Sequence, residues 1–60
     1  MLVVVDEGDV FLSLIYAERE IQAARDAIKR DSPLKDVKYF MNAAAQTLLL
    51  AHGKLREIEK

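Results

Sequence analysis

Two runs of heptad-spaced apolar residues, interrupted once by Asp31-Ser32-Pro33, leave this chain few ways to fold. In the first run Val10, Leu14, Ala17, Ile21, Ala24 and Ile28 step by four and three without a break. In the second, Leu34, Val37, Met41, Ala44, Leu48, Ala51, Leu55 and Ile58 step by three and four. Such spacing keeps one apolar stripe on one side of an α-helix. The interruption has turn chemistry: Ser32 is placed to cap a helix, with Pro33 at the first helical position, where its missing N–H costs nothing. The expectation is a single domain over residues 1–60, with helices over about 7–30 and 33–58 and a turn over 31–33.

Side-chain sizes along the stripes say how the helices meet. If the chain folds back so that residues whose numbers sum to 65 share a height, the facing pairs are Ile28 with Val37, Ala24 with Met41, Ile21 with Ala44, Ala17 with Leu48, Leu14 with Ala51 and Val10 with Leu55. Four of the six set alanine against a large residue, which is how facing layers interdigitate at native density. The fold class expected is all-α, an antiparallel helical hairpin with a seam made of Leu14, Ala17, Ile21, Ala24, Ile28, Met41, Ala44, Leu48, Ala51 and Leu55.

A chain of 60 residues buries only about 60% of the surface its unfolded form exposes, so it needs help to be stable. There is no cysteine to form a disulfide or a common zinc site, which leaves self-association. Two hairpins about a two-fold axis would make a four-helix bundle. In plan this resembles the plasmid-encoded repressor-of-primer proteins, also short hairpins with alternating small and large residues in their layers. The resemblance is one of architecture alone. The RNA-contacting basic and aromatic residues of those proteins have no counterparts on the first helix here, where Glu18 and Glu20 would repel phosphate.

The first helix has two candidate caps. Asp6 would place Asp9 at the third helical position and set Val5 against Val10, while Asp9 after Gly8 is the other choice. Ahead of it, Leu2 to Val5 predict a short extended N-terminal arm. Gly53 weakens the second helix by roughly 1 kcal/mol, but Leu55 and Ile58 keep the register beyond it, so continuation is expected. Lys54 and Arg56 would then lie near the acidic start of the first helix, as surface pairs with Asp9.

Once the seam is assigned, Leu12, Ile15, Tyr16, Leu49 and Leu50 are left pointing outward. They are expected to form one apolar patch near the terminal end, either covered by the arm or used to bind another protein; attachment to a membrane surface is disfavoured, because the patch lacks a lysine-rich rim. Phe11 and Phe40 read as core edge, and Tyr16 and Tyr39 as contact residues.

Little in the sequence supports catalysis. A lone His52 has no nucleophile or orienting partner, no Glu-x-x-His repeat marks a di-metal bundle site, and two glycines make no phosphate loop. Ser13 and Thr47 read as helix-surface or seam-edge residues. Glu18, Glu20 and Asp26 read as a solvated face, with Asp26 and Arg30 at the stabilising four-residue spacing. No catalytic residue, metal site or cofactor is expected. With a net charge of −1, nucleic acid is not the expected partner on composition, and a ribbon-helix-helix dimer is disfavoured because "LVVV" has no polar reach to a base edge. The apolar start is too short to span a bilayer and lacks the basic flank of a secretory signal, so the expectation is a cytoplasmic protein. The expected function is that of a non-enzymatic homo-oligomer that binds another protein as a regulator or accessory subunit. The alternative is a nucleic-acid-binding transcriptional, plasmid or phage regulator, a helical-hairpin or ribbon-helix-helix-like dimer, using Arg19, Arg25, Lys29 and Arg30.

Overall fold

The computed structural model describes residues 5–59 as two α-helices, α1 (Glu7–Lys29) and α2 (Leu34–Glu59), packed against each other as a hairpin measuring 45 × 21 × 15 Å. The all-α hairpin is as the heptads predict. Leu2 to Val4 of the expected arm lie outside the described residues. Val5 is half-buried and shares a shallow hollow with Ile58 at the far end of α2.

Local chemistry sets the helix ends. Asp6 is the cap of α1: its carboxylate accepts from the Asp9 amide at 3.2 Å, and the Asp9 carboxylate accepts from the Asp6 amide at 3.1 Å. This reciprocal box satisfies two otherwise orphaned donors and decides between the two candidate caps. Glu7 and Asp9 add negative charge at the positive end of the helix dipole. Continuation through Gly53 also holds, and a methyl group there would meet nothing within 4 Å.

The turn differs from expectation by one place, and the reason is how α1 ends. The Asp31 amide donates to the Ile28 carbonyl at 3.1 Å and the Ser32 amide to the Ala27 carbonyl at 2.9 Å, with Asp31 left-handed at φ 55°. These two bonds form a Schellman cap that satisfies carbonyls otherwise left orphaned at the helix end. Ser32 therefore serves the end of α1, not the start of α2. Pro33 stands in the cap place, its carbonyl accepting from the Asp36 amide at 2.9 Å, and α2 begins at Leu34. Glycine is the usual residue at the left-handed position, because a Cβ there costs roughly 1 kcal/mol. Asp31→Gly is therefore expected to stabilise the hairpin by about 0.5–1 kcal/mol and raise Tm by several degrees at fixed protein concentration. Asp31→Val should move Tm the other way in the same thermal melts.

The packing splits the expected seam by size. Ala17, Ala24, Ala44, Ala51 and Val37 are buried as expected, joined by Ser13 and by Ala27, which has no exposed surface at all. The large seam members are not enclosed: Ile28 and Met41 are about 60% exposed, and Leu14, Ile21, Leu48 and Leu55 each exceed 40%. Within the hairpin the contact stripe runs through residues 13, 17, 20, 24 and 27 of α1 and residues 37, 40, 44, 47, 51 and 54 of α2, all buried or half-buried. That stripe lies one flank round from the predicted seam. The helices close on the flank lined by Ser13, Ala27 and Thr47, whose small side chains permit close approach. They leave open the flank of leucine, isoleucine and methionine, which two helices alone cannot cover.

Candidate functional site

The hairpin has two long grooves between its helices, one on each face, and they differ in chemistry. The first is lined by Asp9, Leu12, Ser13, Tyr16, Arg19, Glu20, Thr47, Leu50 and Lys54. Its floor is tied by two cross-helix hydrogen bonds. The Lys54 ammonium donates to Ser13 Oγ at 2.9 Å, and the Thr47 hydroxyl donates to Glu20 Oε1 at 2.5 Å. The single Thr47 proton has a second acceptor in the Ala43 carbonyl at 3.0 Å, and Ser13 likewise donates back to the Asp9 carbonyl at 3.1 Å. Such back-bonding lets a buried hydroxyl sit inside a helix without an unsatisfied proton. The lysine stem runs along the groove, so its methylenes cover apolar surface while the charged head finds a partner.

These bonds correct several expectations. Lys54 reaches Ser13 one turn beyond Asp9. Glu20 is half-buried at the helix contact and not on the solvated face. The Asp26 carboxylate takes a bond from Gln22 Nε2 at 3.0 Å, while Arg30 meets Asp26 only through the backbone. Ser13 and Thr47 take the seam-edge place of the two expected for them, and their hydroxyls tie one helix to the other. Sequence spacing carried the signal: Ser13 with Lys54 and Glu20 with Thr47 both sum to 67, two more than the assumed fold-back register.

Of the five outward residues proposed as a patch, Leu12, Tyr16 and Leu50 line this first groove, each more than half exposed. The Arg19 guanidinium lies over the Tyr16 ring, 5.9 Å from its centroid, a cation–π contact that holds the rim. Ile15 is half-buried and Leu49 is 72% exposed, and neither lines the groove. Phe11, expected at the core edge, is 58% exposed; Phe40 is half-buried, edge-on to Tyr39 at 5.5 Å.

The second groove is apolar along its whole length. Towards the turn it is lined by Ile21, Ala24, Arg25, Ile28, Val37, Met41, Ala44, Ala45 and Leu48; towards the termini by Val10, Leu14, Leu48, Ala51, His52 and Leu55. Leu48 lines both halves, so they join at mid-helix. Alanines form the floor and large aliphatic side chains the walls. Arg25 is the one formal charge along it, with His52 at the rim. Arg25 and Arg19 thus line opposite grooves, and the basic residues of α1 do not gather into one footprint for a phosphate backbone.

Among the described residues no group of three or more histidines, aspartates or glutamates is placed to hold a metal ion, and no helix is long and apolar enough to cross a membrane. No family model, no curated protein and no solved structure matches the chain.

Proposed function

We propose that this protein is a homodimer, two hairpins closing their apolar grooves on each other as a four-helix bundle, and that the dimer binds another protein through the opposite groove as a regulator or accessory subunit with no catalytic role. The observation that carries the reading is the apolar groove. Six large aliphatic side chains, Leu14, Ile21, Ile28, Met41, Leu48 and Leu55, stand more than 40% exposed along one face, far from the scattered apolar residues of an ordinary surface.

Area supports a partner of similar size. The chain exposes 5127 Å², whereas a folded monomer of its mass exposes about 4,000 Å². The excess, about 1,100 Å², is larger than the roughly 800 Å² that each partner gives up in a standard interface, and so is enough for one. The first groove combines apolar Leu12, Tyr16 and Leu50 with charges of both signs, the mixture found at the edge of protein contacts. In this reading the compartment is the cytoplasm.

A photo-crosslinking side chain placed at position 48 or at position 50 tests the assignment in cells that produce the protein. Position 48 is expected to yield a covalent pair of two copies, and position 50 a discrete adduct with a different protein. Adducts between copies at both positions, or none at position 50, would remove the second half of the proposal.

A further inference from the structure

We infer that the copy in the apolar groove lies antiparallel, its turn over the termini of the first hairpin, because the residues on the rim of the groove select that orientation. The inference rests on the dimer proposed above and adds its geometry. Two like hairpins meeting face to face have only two possible two-fold axes, one along the helices and one across them. The first puts turn beside turn and faces α1 with α2 of the copy. The second puts turn beside termini and faces each helix with its own counterpart.

The rim is drawn by two heptad stripes. On α2, Ala45 and His52 line the groove, and residues seven away on the same stripe are Lys38 at one end and Glu59 at the other. On α1, Arg25 lines the groove, preceded at seven-residue steps by Glu18 and Phe11. The α2 stripe is centred between Leu48 and Leu49, and the α1 stripe on Glu18. The cross-helix hydrogen bonds show that heights match where residue numbers sum to 67, so both stripe centres fall within one residue of a single height. One crossing axis beside Leu48 therefore serves both.

About that axis Lys38 meets Glu59 of the copy twice, and Arg25 meets the exposed ring of Phe11 of the copy twice, a cation–π pairing. Glu18 meets its own counterpart once, at the rim, where water screens it. About the other axis, where heights again match at a sum of 67, Arg25 comes level with residue 42 of the copy and one helical turn from Lys38, twice, so two long cationic side chains share that stretch of rim. Two opposite-charge pairs against two like-charge approaches across one turn favour the crossing axis, even after the single Glu18 contact is counted. Rim charges set orientation more than affinity, and here that is their role.

Sedimentation equilibrium on four chains at low salt tests this: the unsubstituted protein, Lys38→Glu, Glu59→Lys, and the double variant. In the antiparallel dimer each single substitution turns two attractive contacts repulsive, and Kd is expected to rise about tenfold or more. The double variant, and an equal mixture of the two single variants, are expected to regain the original Kd within about threefold, because each again sets opposite charges together. If Lys38→Glu dimerises as tightly as the unsubstituted chain or more tightly, the orientation is overturned, since only the other axis brings Lys38 within one helical turn of Arg25 of the copy. If the unsubstituted protein has the mass of one chain at every concentration, the dimer itself is overturned, and the two failures are distinct.

Discussion

Ala17→Leu is expected to destabilise the protein by about 2 kcal/mol and lower Tm by about 10 °C, although it adds apolar surface to a chain that is short of core. Ala17 is 2% exposed at mid-helix, on the stripe where α1 and α2 touch. Interaxial distance is set by the side chains at the contact, and alanine there draws the helices to the near end of the usual 8–10 Å range. Leucine would push them apart and pull the Thr47–Glu20 and Lys54–Ser13 bonds past their useful length, since both depend on the same spacing. Gln46→Leu, on the exposed side of α2, adds a similar apolar group where nothing packs, and is expected to change stability by no more than about 0.5 kcal/mol. Thermal melts of the two variants at one protein concentration give the comparison. Equal Tm values would mean the helix contact is not close-packed.

Leu48→Glu acts on the other side of the hairpin and on a different equilibrium. Leu48 is the residue common to both halves of the apolar groove, so in the proposed bundle a carboxylate at this place is buried twice, once per copy, in a groove whose one formal cation, Arg25, stands on its rim. Removing two charges from water without partners costs several kcal/mol, so Kd for self-association is expected to rise more than about a hundredfold. In the proposed dimer a hairpin this small gains part of its stability from the second copy, so helix content by circular dichroism should fall with it at micromolar concentration. Leu49→Glu, one residue on and outside both grooves, is expected to leave self-association unchanged. If Leu48→Glu behaves like Leu49→Glu, the apolar groove is not the interface.

The hairpin was legible in the sequence because alternation of size and heptad spacing pointed to the same antiparallel pair of helices. The cap at Asp6 was legible too, since Asp9 three residues on completes the box. The flank on which the helices close was harder to read. Residues 14, 21 and 28 and residues 13, 20 and 27 sit on either side of the same centre line, and apolar character selects the first set while steric fit within one hairpin selects the second. Leu14, Ile21 and Ile28 are apolar because they serve a contact outside the hairpin in our account, and a pattern cannot say which of two contacts an apolar residue serves. The proposed patch divided for a related reason: Leu49 and Leu50 are adjacent in sequence, but about 100° apart round the helix, and only Leu50 lines the groove with Leu12 and Tyr16. Asp31 was hidden because its left-handed turn belongs to residues that glycine usually occupies.

Whether a second copy of the chain closes the open apolar groove is read from the mass of the unsubstituted protein in solution, measured by light scattering over a concentration series. The expected mass is that of two chains, constant to low micromolar concentration and lost in Leu48→Glu. A folded protein with the mass of one chain throughout that range would contradict it.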